Sequence, residues 1–365
     1  MDEELQVLAI NPGSTSTKVA LFGAGTVLFE TTVNHPHEEL AQYEHIGEQL
    51  QLRKAQVLSA VSSAGYGLDG LHAVVGRGGL THPVPGGTYL VCDRMLEDLR
   101  QGVLGEHASN LGGLIARSIA DPLHIPSFIV DPVVVDELEP LARYSGIPEL
   151  PRTSIFHALN QKAVARRAAE TLGRAYEDCR FVVAHLGGGI TVAAHRRGRV
   201  IDVNDGLNGE GPFSPERSGG LAALKIVKLC FGSGMSQAQI SRRIKGNGGL
   251  VAYLGTNDGR EVAARIAAGD RGAAEVYEAM AYQVAKEIGA MAAVLEGEVD
   301  AVLITGGLAH DRKVCDWIEK RVAFIAPVHF FPGEYEMTAL AEGACRVLNG
   351  SETARSYLDG LEGAL

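Results

Sequence analysis

The sequence predicts an α/β protein built from two similar domains. Its 365 residues exceed what one hydrophobic core usually covers. Two stretches, residues 5–33 and residues 181–203, each consist of three apolar, β-branched runs separated by short turns, which is the pattern of a β-meander. A meander that recurs roughly half a chain later indicates two related domains that face each other across a cleft.

The first bend of each meander suits a phosphate ligand. In the first meander this bend holds Asn11 and the run Ser14, Thr15, Ser16 and Thr17, and in the second it holds Gly187, Gly188 and Gly189. Glycines leave backbone N–H groups open to a ligand, and Asn, Ser and Thr add side-chain donors. We therefore predict that each domain presents one bend to the phosphates of a nucleotide.

The remaining elements alternate between helical and strand patterns along the chain. Helices are predicted over residues 37–58, 95–102, 110–119, 153–173, 221–231, 236–244, 257–295 with a break near Gly269, 311–321 and 337–348. The helix over residues 153–173 should be capped by Thr153 or Ser154. Strands are predicted over residues 71–75, 127–130, 300–305 and 328–331. Residues 81–91, rich in Gly and Pro, are expected to lack regular structure.

The composition argues against a nucleic-acid or membrane protein. A formal net charge of −11 lacks the basic footprint that nucleic acids select. No apolar run reaches the roughly 20 residues of a membrane span, and the first segment, MDEELQVLAI, is acidic where a signal peptide would be basic. The five cysteines contain no CxxC pair, which predicts reduced thiols without zinc or a disulfide framework. We therefore expect a cytoplasmic protein.

Several familiar catalytic motifs are absent from the sequence. It contains no Walker A motif, no protein-kinase HRD and DFG set and no GxSxG elbow. The formal GxGxxG of residues 65–70 leads into a strand, whereas a dinucleotide fingerprint opens a helix. What remains is phosphoryl transfer by positioning and electrostatics, which needs phosphate-binding bends, a cation and a carboxylate for hydrated magnesium.

The segments AINPGSTSTK, VVGRGG, AHLGGGITV, PERSGG and LITGGLAHD together resemble the acetokinase family and, within it, the butyrate kinases. This family shares a superfamily with actin, Hsp70 and the sugar kinases, and the resemblance spans nearly the whole chain. It implies two ribonuclease H-like (actin-like ATPase) domains that face each other across a nucleotide cleft. The expected boundaries are residues 1–140, residues 141–340, and residues 341–365 for a C-terminal helix that packs back on the N-terminal domain.

The resemblance implies a reversible, direct in-line transfer of the γ-phosphoryl group of ATP to a short-chain carboxylate, with butanoate as the expected acceptor. ATP or ADP would bind with Mg²⁺ and without a prosthetic group, and the chain would form a homodimer or higher homo-oligomer. Phosphorylation of acetate, propionate or isobutyrate is the alternative within the family. An ATP-binding switch of the Hsp70 or actin type is the alternative from another class.

The resemblance also implies roles for charged residues. Arg217 in PERSGG is expected to contact the transferring phosphoryl group, because a planar guanidinium can bridge its oxygens. Arg77, between glycines at a strand end, is expected to bind a carboxylate or a phosphate. Asp131 and Glu336 are the carboxylates expected to serve magnesium, Asp131 within the catalytic set and Glu336 together with Asn11 as metal ligands.

The resemblance implies further roles for histidines and glycines. His157 and His185 join the catalytic set, and His107 is expected beside the acyl group. The next histidine of the family pattern falls at Gln161, which predicts a changed phosphate contact or a reshaped pocket. Gly306 and Gly307 match the turn beside the adenosine, so the nucleotide is expected to bind these two glycines and both phosphate bends.

The acceptor itself needs little activation. Acids of this kind have a pKa of about 4 to 5, so the nucleophile is already ionised and no general base is required. Its alkyl chain needs an apolar pocket, for which Val75, Val84, Pro85 and Val91 are the expected walls. One methylene in such a pocket is worth about 1–3 kcal/mol, so discrimination among short acids should be graded.

Overall fold

A computed structural model describes residues 5–362, with side chains described through residue 361. The chain divides into two compact units. One comprises the chain up to Asp136 and from Tyr335 onward, and the other spans Glu137–Glu334. The chain therefore leaves the first unit once and returns to it, and the switch points lie a few residues before the expected boundaries at 140 and 340.

The strands and helices are numbered in chain order. The strands are β1 Gln6–Pro12, β2 Ser16–Gly23, β3 Thr26–Asn34, β4 Ala73–Arg77, β5 Thr88–Leu90, β6 Ser127–Val130, β7 Arg180–Leu186, β8 Ile190–Arg196, β9 Arg199–Val203, β10 Ala301–Gly306 and β11 Val328–Pro332. The α-helices are α1 His37–Leu40, α2 Leu50–Ser63, α3 Asp93–Gln101, α4 Asn110–Ala120, α5 Ala158–Thr171, α6 Ala223–Gly232, α7 Gln237–Ile244, α8 Gly249–Leu254, α9 Gly259–Ala267, α10 Arg271–Val294, α11 Arg312–Val322, α12 Glu336–Leu348 and α13 Tyr357–Glu362.

The two units contain sheets of matching topology. In the first sheet the strand order is β3-β2-β1-β4-β6-β5, and in the second it is β11-β10-β7-β8-β9. In each sheet an antiparallel meander, β1-β2-β3 or β7-β8-β9, is followed by a strand that pairs in parallel with the first strand of the meander. Both predicted meanders are confirmed, as is their duplication.

Helices cover the first sheet on both faces, and one very close contact fixes the position of Arg77. A Cβ atom built on Gly76 of β4 would lie only 2.1 Å from the carbonyl oxygen of Gly112 in α4. Position 76 therefore has to be glycine, since α4 packs with its backbone against β4 there. Successive strand residues point to opposite faces, so Arg77 lies on the other face, where α12 packs against β1 and β4.

The second sheet carries its core on the face covered by α10. Val182 and Ala184 of β7 and Ile304 of β10 are fully buried in one apolar cluster with Tyr277 and Val284 of α10. Buried strands of this kind read as continuous apolar runs, which is why the sequence predicts them well.

Three predictions about secondary structure are wrong. The helix expected over residues 37–58 is interrupted after α1, because His45 and Glu48 form a capping box that starts a new 3₁₀ segment leading into α2. Residues 88–90 form strand β5 by pairing antiparallel with β6, a tertiary pairing that overrides the local Gly and Pro content. The helix expected from residue 153 begins only at α5, since Thr153 binds the Asp205 carboxylate at 2.7 Å and does not cap a helix.

Two short helices, α8 and α13, were not predicted. None of the described helices is both long and apolar enough to span a membrane.

Candidate functional site

The first bend, between β1 and β2, turns its carbonyl groups inward. Arg53 of α2 donates from Nη1 to the carbonyl oxygens of Gly13 at 2.7 Å and Ser16 at 3.2 Å, and from Nη2 to that of Ser14 at 3.0 Å. The carbonyl of Thr15 accepts a backbone N–H from just after β3 at 2.8 Å. Ser14 and Thr15 are exposed, and their N–H groups have no hydrogen-bond acceptor among the described residues. The bend therefore presents N–H groups outward, as an anion requires.

The side chain of Thr17, predicted to bind the nucleotide, points away from the outward N–H groups of the bend, toward Arg53 and His35. It is 1% exposed, and its hydroxyl lies 2.8 Å from His35 Nε2 and accepts from Arg53 Nη1 at 3.3 Å. Burial, and secondarily the charge of Arg53, lowers the pKa of His35. The prediction for Thr17 is corrected, because this side chain supports the bend from behind and offers no surface to a ligand.

Three predicted residues from separate segments meet at the start of α12. Asn11 Nδ2 donates to Glu336 Oε2 at 2.6 Å, and Arg77 Nη1 donates to the same oxygen at 3.0 Å and to Asn11 Oδ1 at 3.4 Å. The parallel register of β1 and β4 sets Ile10 opposite Gly76, so the next residues, Asn11 and Arg77, emerge side by side. Asn11 and Glu336 are buried, and Arg77 and Glu336 form a compact cation–carboxylate pair at the C-terminal ends of β1 and β4.

The same cluster limits how magnesium could bind. Oε2 of Glu336 is occupied by two donors, while Oε1 has no partner within residues 5–361. Asn11 turns its amide nitrogen to Glu336, and its oxygen accepts one hydrogen bond, from Arg77 at 3.4 Å. Across the described residues no three His, Cys, Asp or Glu side chains form a metal-binding group. Because Mg²⁺ keeps several waters and uses one or two carboxylates beside substrate phosphates, the residues fit a hydrated ion on one oxygen.

Asp131 closes β6 in an unusual backbone conformation. Its φ is +37°, a left-handed value that side-chain-bearing residues seldom adopt. Its N–H donates to the Gly87 carbonyl at 3.0 Å, and its Oδ1 accepts from the Gly87 N–H at 2.8 Å. Strain of this kind tends to occur at functional sites, where the surrounding structure holds it in place.

The predicted acyl walls are mostly interior residues. Val75, Val84 and Val91 are at most 1% exposed, and Val84 and Val91 belong to the hydrophobic core of the first unit. A pocket wall must present surface to its ligand, so the prediction is wrong for the three valines. For Pro85, which is half-buried, it stays a prediction. His107 is exposed just before α4, where its Nδ1 accepts the Ser109 N–H at 3.2 Å.

The second bend has the same polarity as the first. The N–H of Gly187 closes on the carbonyl of Gly189 at 3.0 Å. The carbonyl of Gly188 accepts from Ser214 Oγ at 2.6 Å and from the N–H of Glu216 at 3.3 Å. Among the described residues, the N–H groups of Gly188 and Gly189 have no hydrogen-bond acceptor. This bend too presents two N–H groups outward.

Arg217 lies directly against this second bend. A Cβ atom built on Gly189 would be 2.0 Å from Arg217 Nη1, which also donates to the carbonyl of Gly206. Burial lowers the pKa of the guanidinium, and the nearby carboxylates of Glu216 and Asp205 oppose that shift. Arginine nevertheless stays charged at neutral pH. The absence of a side chain at residue 189 is therefore what lets a cation reach the bend.

The second unit contains an open cavity of about 550 Å³ beside this bend. Its lining includes Gly187, Gly188 and Gly307 together with Tyr277 of α10 and Asp311. Gly306, with φ of +94°, turns the chain after β10, and a Cβ there would lie 2.4 Å from the Leu186 carbonyl oxygen. The volume falls within the roughly 300–1,000 Å³ of small-molecule sites. The structure thus brings the second phosphate bend and the predicted adenosine turn to one cavity.

Two of the predicted histidines form a stacked pair in the second unit. The rings of His157 and His185 lie 3.9 Å apart at an interplanar angle of 11°. Asn160 Nδ2 lies 2.8 Å from His185 Nδ1 and 3.2 Å from Thr305 Oγ1. A Cβ built on Gly187 would be 3.0 Å from His185 Nε2, so this nitrogen faces the glycine bend.

Gln161, where the family pattern has a histidine, stands behind this pair. Its Nε2 donates to the carbonyl oxygen of Thr191 at 3.1 Å and to Thr191 Oγ1 at 2.9 Å, and the carbonyl, which can only accept, fixes the amide orientation. Its Oε1 then accepts from His195 Nε2 at 3.1 Å, and His195 Nδ1 lies 2.7 Å from the Tyr176 hydroxyl. Burial holds the pKa of His195 well below its usual range, so the ring is neutral.

This chain of donors fixes the tautomer of His157. Thr191 Oγ1 receives a hydrogen from Gln161, and its other partner among the described residues is His157 Nδ1 at 2.9 Å. Thr191 is fully buried, and a buried hydroxyl hydrogen without an acceptor costs about 1–3 kcal/mol. The hydroxyl therefore donates to Nδ1, and the proton of neutral His157 sits on Nε2.

Several contributors escape the motif analysis. Arg53 lies outside every recognised segment, and Thr191 lies inside AHLGGGITV without a role assigned to it. Both bind other residues of the site, but neither spacing nor residue type reveals that their side chains point inward. Lys18 was also missed, although it pairs with Asn11 in the β1–β2 register. Directly paired residues share a face, so strand alternation could have found it.

Comparison with solved structures identifies the fold class. The acetate kinase of Porphyromonas gingivalis superposes with a TM-score of 0.78 at 21% identity, covering 93% of this chain and 99% of that one. A propionate kinase from Francisella tularensis subsp. tularensis gives a TM-score of 0.70 at 19% identity, covering 93% and 98%. The predicted fold class, that of the actin-like ATPases, is confirmed.

Sequence comparison then gives the family. Butyrate kinase 2 of Clostridium acetobutylicum is 52% identical over 354 residues, which is 97% of this chain and 99% of that protein. A family model described as the acetokinase family matches residues 150–324. The chain belongs to the acetokinase family, and the resemblance seen in its motifs is confirmed.

Proposed function

We propose that this chain transfers the γ-phosphoryl group of ATP to butanoate, forming ADP and butanoyl phosphate, and that the reaction runs in both directions. Its family membership makes it a carboxylate kinase. The observation that supports the proposal most directly is the cavity lined by Gly187, Gly188 and Gly307, because it joins two predicted nucleotide elements. Acetate and propionate kinases share the fold, so acetate, propionate and isobutyrate remain the alternative acceptors.

The nucleotide binds through backbone donors in this proposal. Each bend binds phosphate oxygens through its outward N–H groups, those of Ser14 and Thr15 in the first bend and those of Gly188 and Gly189 in the second. Ser16 adds a hydroxyl, and Gly306 and Gly307 shape the adenosine side of the cavity. This division explains how a chain of net charge −11 binds a polyanion, since each contact is a local dipole or cation.

The chemistry in this proposal is electrostatic. The acceptor carboxylate is already ionised at neutral pH and attacks the γ-phosphorus directly, so no residue has to remove a proton. Arg217 offsets the charge that gathers on the equatorial oxygens, and the Nε2–H of His157 donates to an oxygen in the same region. His185 acts beside it, with its Nε2 facing the glycine bend. Arg77 holds the carboxylate or a phosphate from its position beside Glu336, with Pro85 and His107 near the alkyl chain.

A magnesium ion would supply charge neutralisation on the nucleotide phosphates. We propose that Oε1 of Glu336 holds it in hydrated form, with Asn11 orienting Glu336 and Asp131 contributing through water. The support is the donor chemistry of the site, in which one carboxylate oxygen near the first bend keeps its acceptor capacity.

A single assay tests the proposal and its alternatives. The protein is incubated with ATP, Mg²⁺ and each straight or branched acid from two to six carbons, and acyl phosphate is trapped with hydroxylamine. We expect the largest kcat/KM with butanoate or isobutyrate. If kcat/KM is about tenfold larger for acetate than for butanoate, the proposed activity becomes that of an acetate kinase. ATP hydrolysis without any acylhydroxamate would instead indicate a nucleotide-dependent switch.

We further propose a cytoplasmic homodimer or higher homo-oligomer, as the resemblance implies. The support is helix α6, whose Leu224 and Phe231 are 76% and 89% exposed and would be covered by a second copy. Analytical ultracentrifugation of the parent and of Phe231→Asp tests this, since a monomeric parent contradicts it.

A further inference from the structure

Arg53 is a buried cation without a buried anion. Arg53 is 1% exposed. Its guanidinium donates to the carbonyl oxygens of Gly13, Ser14 and Ser16, the hydroxyl of Thr17 and the amide oxygen of Gln49. Every one of these acceptors is neutral, and no carboxylate within residues 5–361 pairs with this guanidinium. Arginine is almost never fully buried unless it is paired with an anion.

Burial lowers the pKa of Arg53, but a guanidinium remains protonated at neutral pH. Keeping an unpaired ion out of water is energetically unfavourable. Such a cost is normally offset by an anion, and the first phosphate bend is the element to which this cation is bound. The missing counter-charge is therefore expected on the other side of the bend.

The hydrogen bonds of Arg53 also decide which groups of the bend face outward. By holding three carbonyl oxygens on its own side, the guanidinium keeps the N–H groups of Ser14 and Thr15 on the opposite side. A peptide that flipped would turn a carbonyl oxygen toward the phosphate and repel it. The fork geometry suits this task, because one guanidinium can hold several oxygens in fixed directions.

We propose that Arg53 is a positioning residue for nucleotide phosphates: it fixes the polarity of the first bend and supplies, from behind, the positive charge that a bound phosphate neutralises. This inference rests on the proposed kinase function and assigns to Arg53 a part of the phosphate recognition. Arg53 does not touch the substrate and acts through the bend.

The test measures, by calorimetry, the binding affinities of a series of ligands with different numbers of phosphates, which is called the ligand ladder below. Affinities for adenosine, ADP, ATP and inorganic triphosphate are compared in the parent, Arg53→Met and Arg53→Lys. We expect Arg53→Met to weaken ATP and triphosphate by about tenfold or more while adenosine is unchanged, because only phosphate contacts are affected. The affinity of Arg53→Lys for ATP and triphosphate should lie between those of the parent and Arg53→Met, since lysine keeps the charge but lacks the planar fork of the guanidinium.

Lys54→Met is the matched control, because Lys54 is the next residue of α2 and its Nζ also binds a carbonyl oxygen, that of Ser118 at 2.8 Å, away from the bend. It should leave the ladder unchanged. Equal weakening of adenosine and ATP by Arg53→Met would show a purely structural role and overturn the inference, as would a parent that gains no affinity from phosphates. Failure of the kinase proposal is distinguishable, because it appears as missing acylhydroxamate while the ligand ladder is intact.

Discussion

The two phosphate bends reach the same polarity by different means. Each begins with an N–H that closes on a carbonyl further along, Gly13 on Ser16 at 2.7 Å and Gly187 on Gly189 at 3.0 Å. Each then leaves two N–H groups outward. In the first bend a buried arginine from a distant helix holds the carbonyls, whereas in the second a serine hydroxyl and a backbone N–H hold the carbonyl of Gly188.

The difference lies in where the cation stands. Arg53 is sealed behind the first bend, and Arg217 lies half-buried against the second at residue 189. A sealed cation can shape the bend and its field, while a half-buried one can approach a phosphoryl group whose charge changes during reaction. We infer that the first bend serves binding and the second serves the transition state.

The largest effect is expected from Arg217→Ala. If this cation acts on transition-state charge, kcat should fall by about 10² or more while the KM for ATP changes little. Steady-state kinetics with butanoate measures both quantities. Arg217→Lys should recover only part of the rate, because it lacks the planar fork. A variant that raised the KM for ATP with kcat intact would assign Arg217 to ground-state binding and remove the contrast with Arg53.

A smaller but sharper effect is expected from Gly189→Ala. The added Cβ would lie 2.0 Å from Arg217 Nη1, the end of a flexible side chain, so the guanidinium must move while the fold survives. We expect kcat to fall by about tenfold or more with little change in thermal midpoint. Gly188→Ala is the control, since its Cβ would be 3.4 Å from Glu216 Oε2 and leaves Arg217 in place. Equal losses in both variants would show that backbone freedom, not the cation, matters at this bend.

The sequence predicts the contents of the bends better than their supports. Strand and bend residues such as Gly187 can be predicted, because apolar runs and glycines are local features of the sequence. Arg53 gives no such signal, because the direction of its side chain depends on where α2 packs. Thr17 was predicted to bind the ligand, although strand alternation turns its side chain inward. The prediction that valines line the acyl pocket is wrong for a related reason. From the sequence, a valine near a strand that lines a pocket cannot be distinguished from one that packs in the core.

A moderate effect is expected from Thr191→Val, which removes the hydroxyl that fixes the His157 tautomer. Nitrogen-15 correlation spectra of the histidine rings should show the proton of parent His157 on Nε2, and a mixture of tautomers in the variant. The rate should fall by up to about tenfold, the equivalent of one hydrogen bond. Thr191→Ser keeps the hydroxyl and should retain the parental tautomer. A parent spectrum with the proton on Nδ1 would contradict the donor chain from Gln161.

The smallest effect is expected on stability as the pH falls. Burial holds the pKa of His195 well below that of an exposed histidine, so the folded chain keeps this ring neutral when the unfolded chain protonates it. The unfolded state then binds more protons, and the free energy of unfolding should decline as the pH drops below about 6.5, the ordinary histidine value. His195→Asn should reduce this decline by up to about 1 kcal/mol between pH 6.5 and 5.5 in urea unfolding. His124→Asn, which alters an exposed histidine in the turn after α4, is the control and should leave the slope as it is. If the His195 variant and the parent lose stability in parallel, the conclusion that burial keeps this ring neutral in the folded chain is wrong.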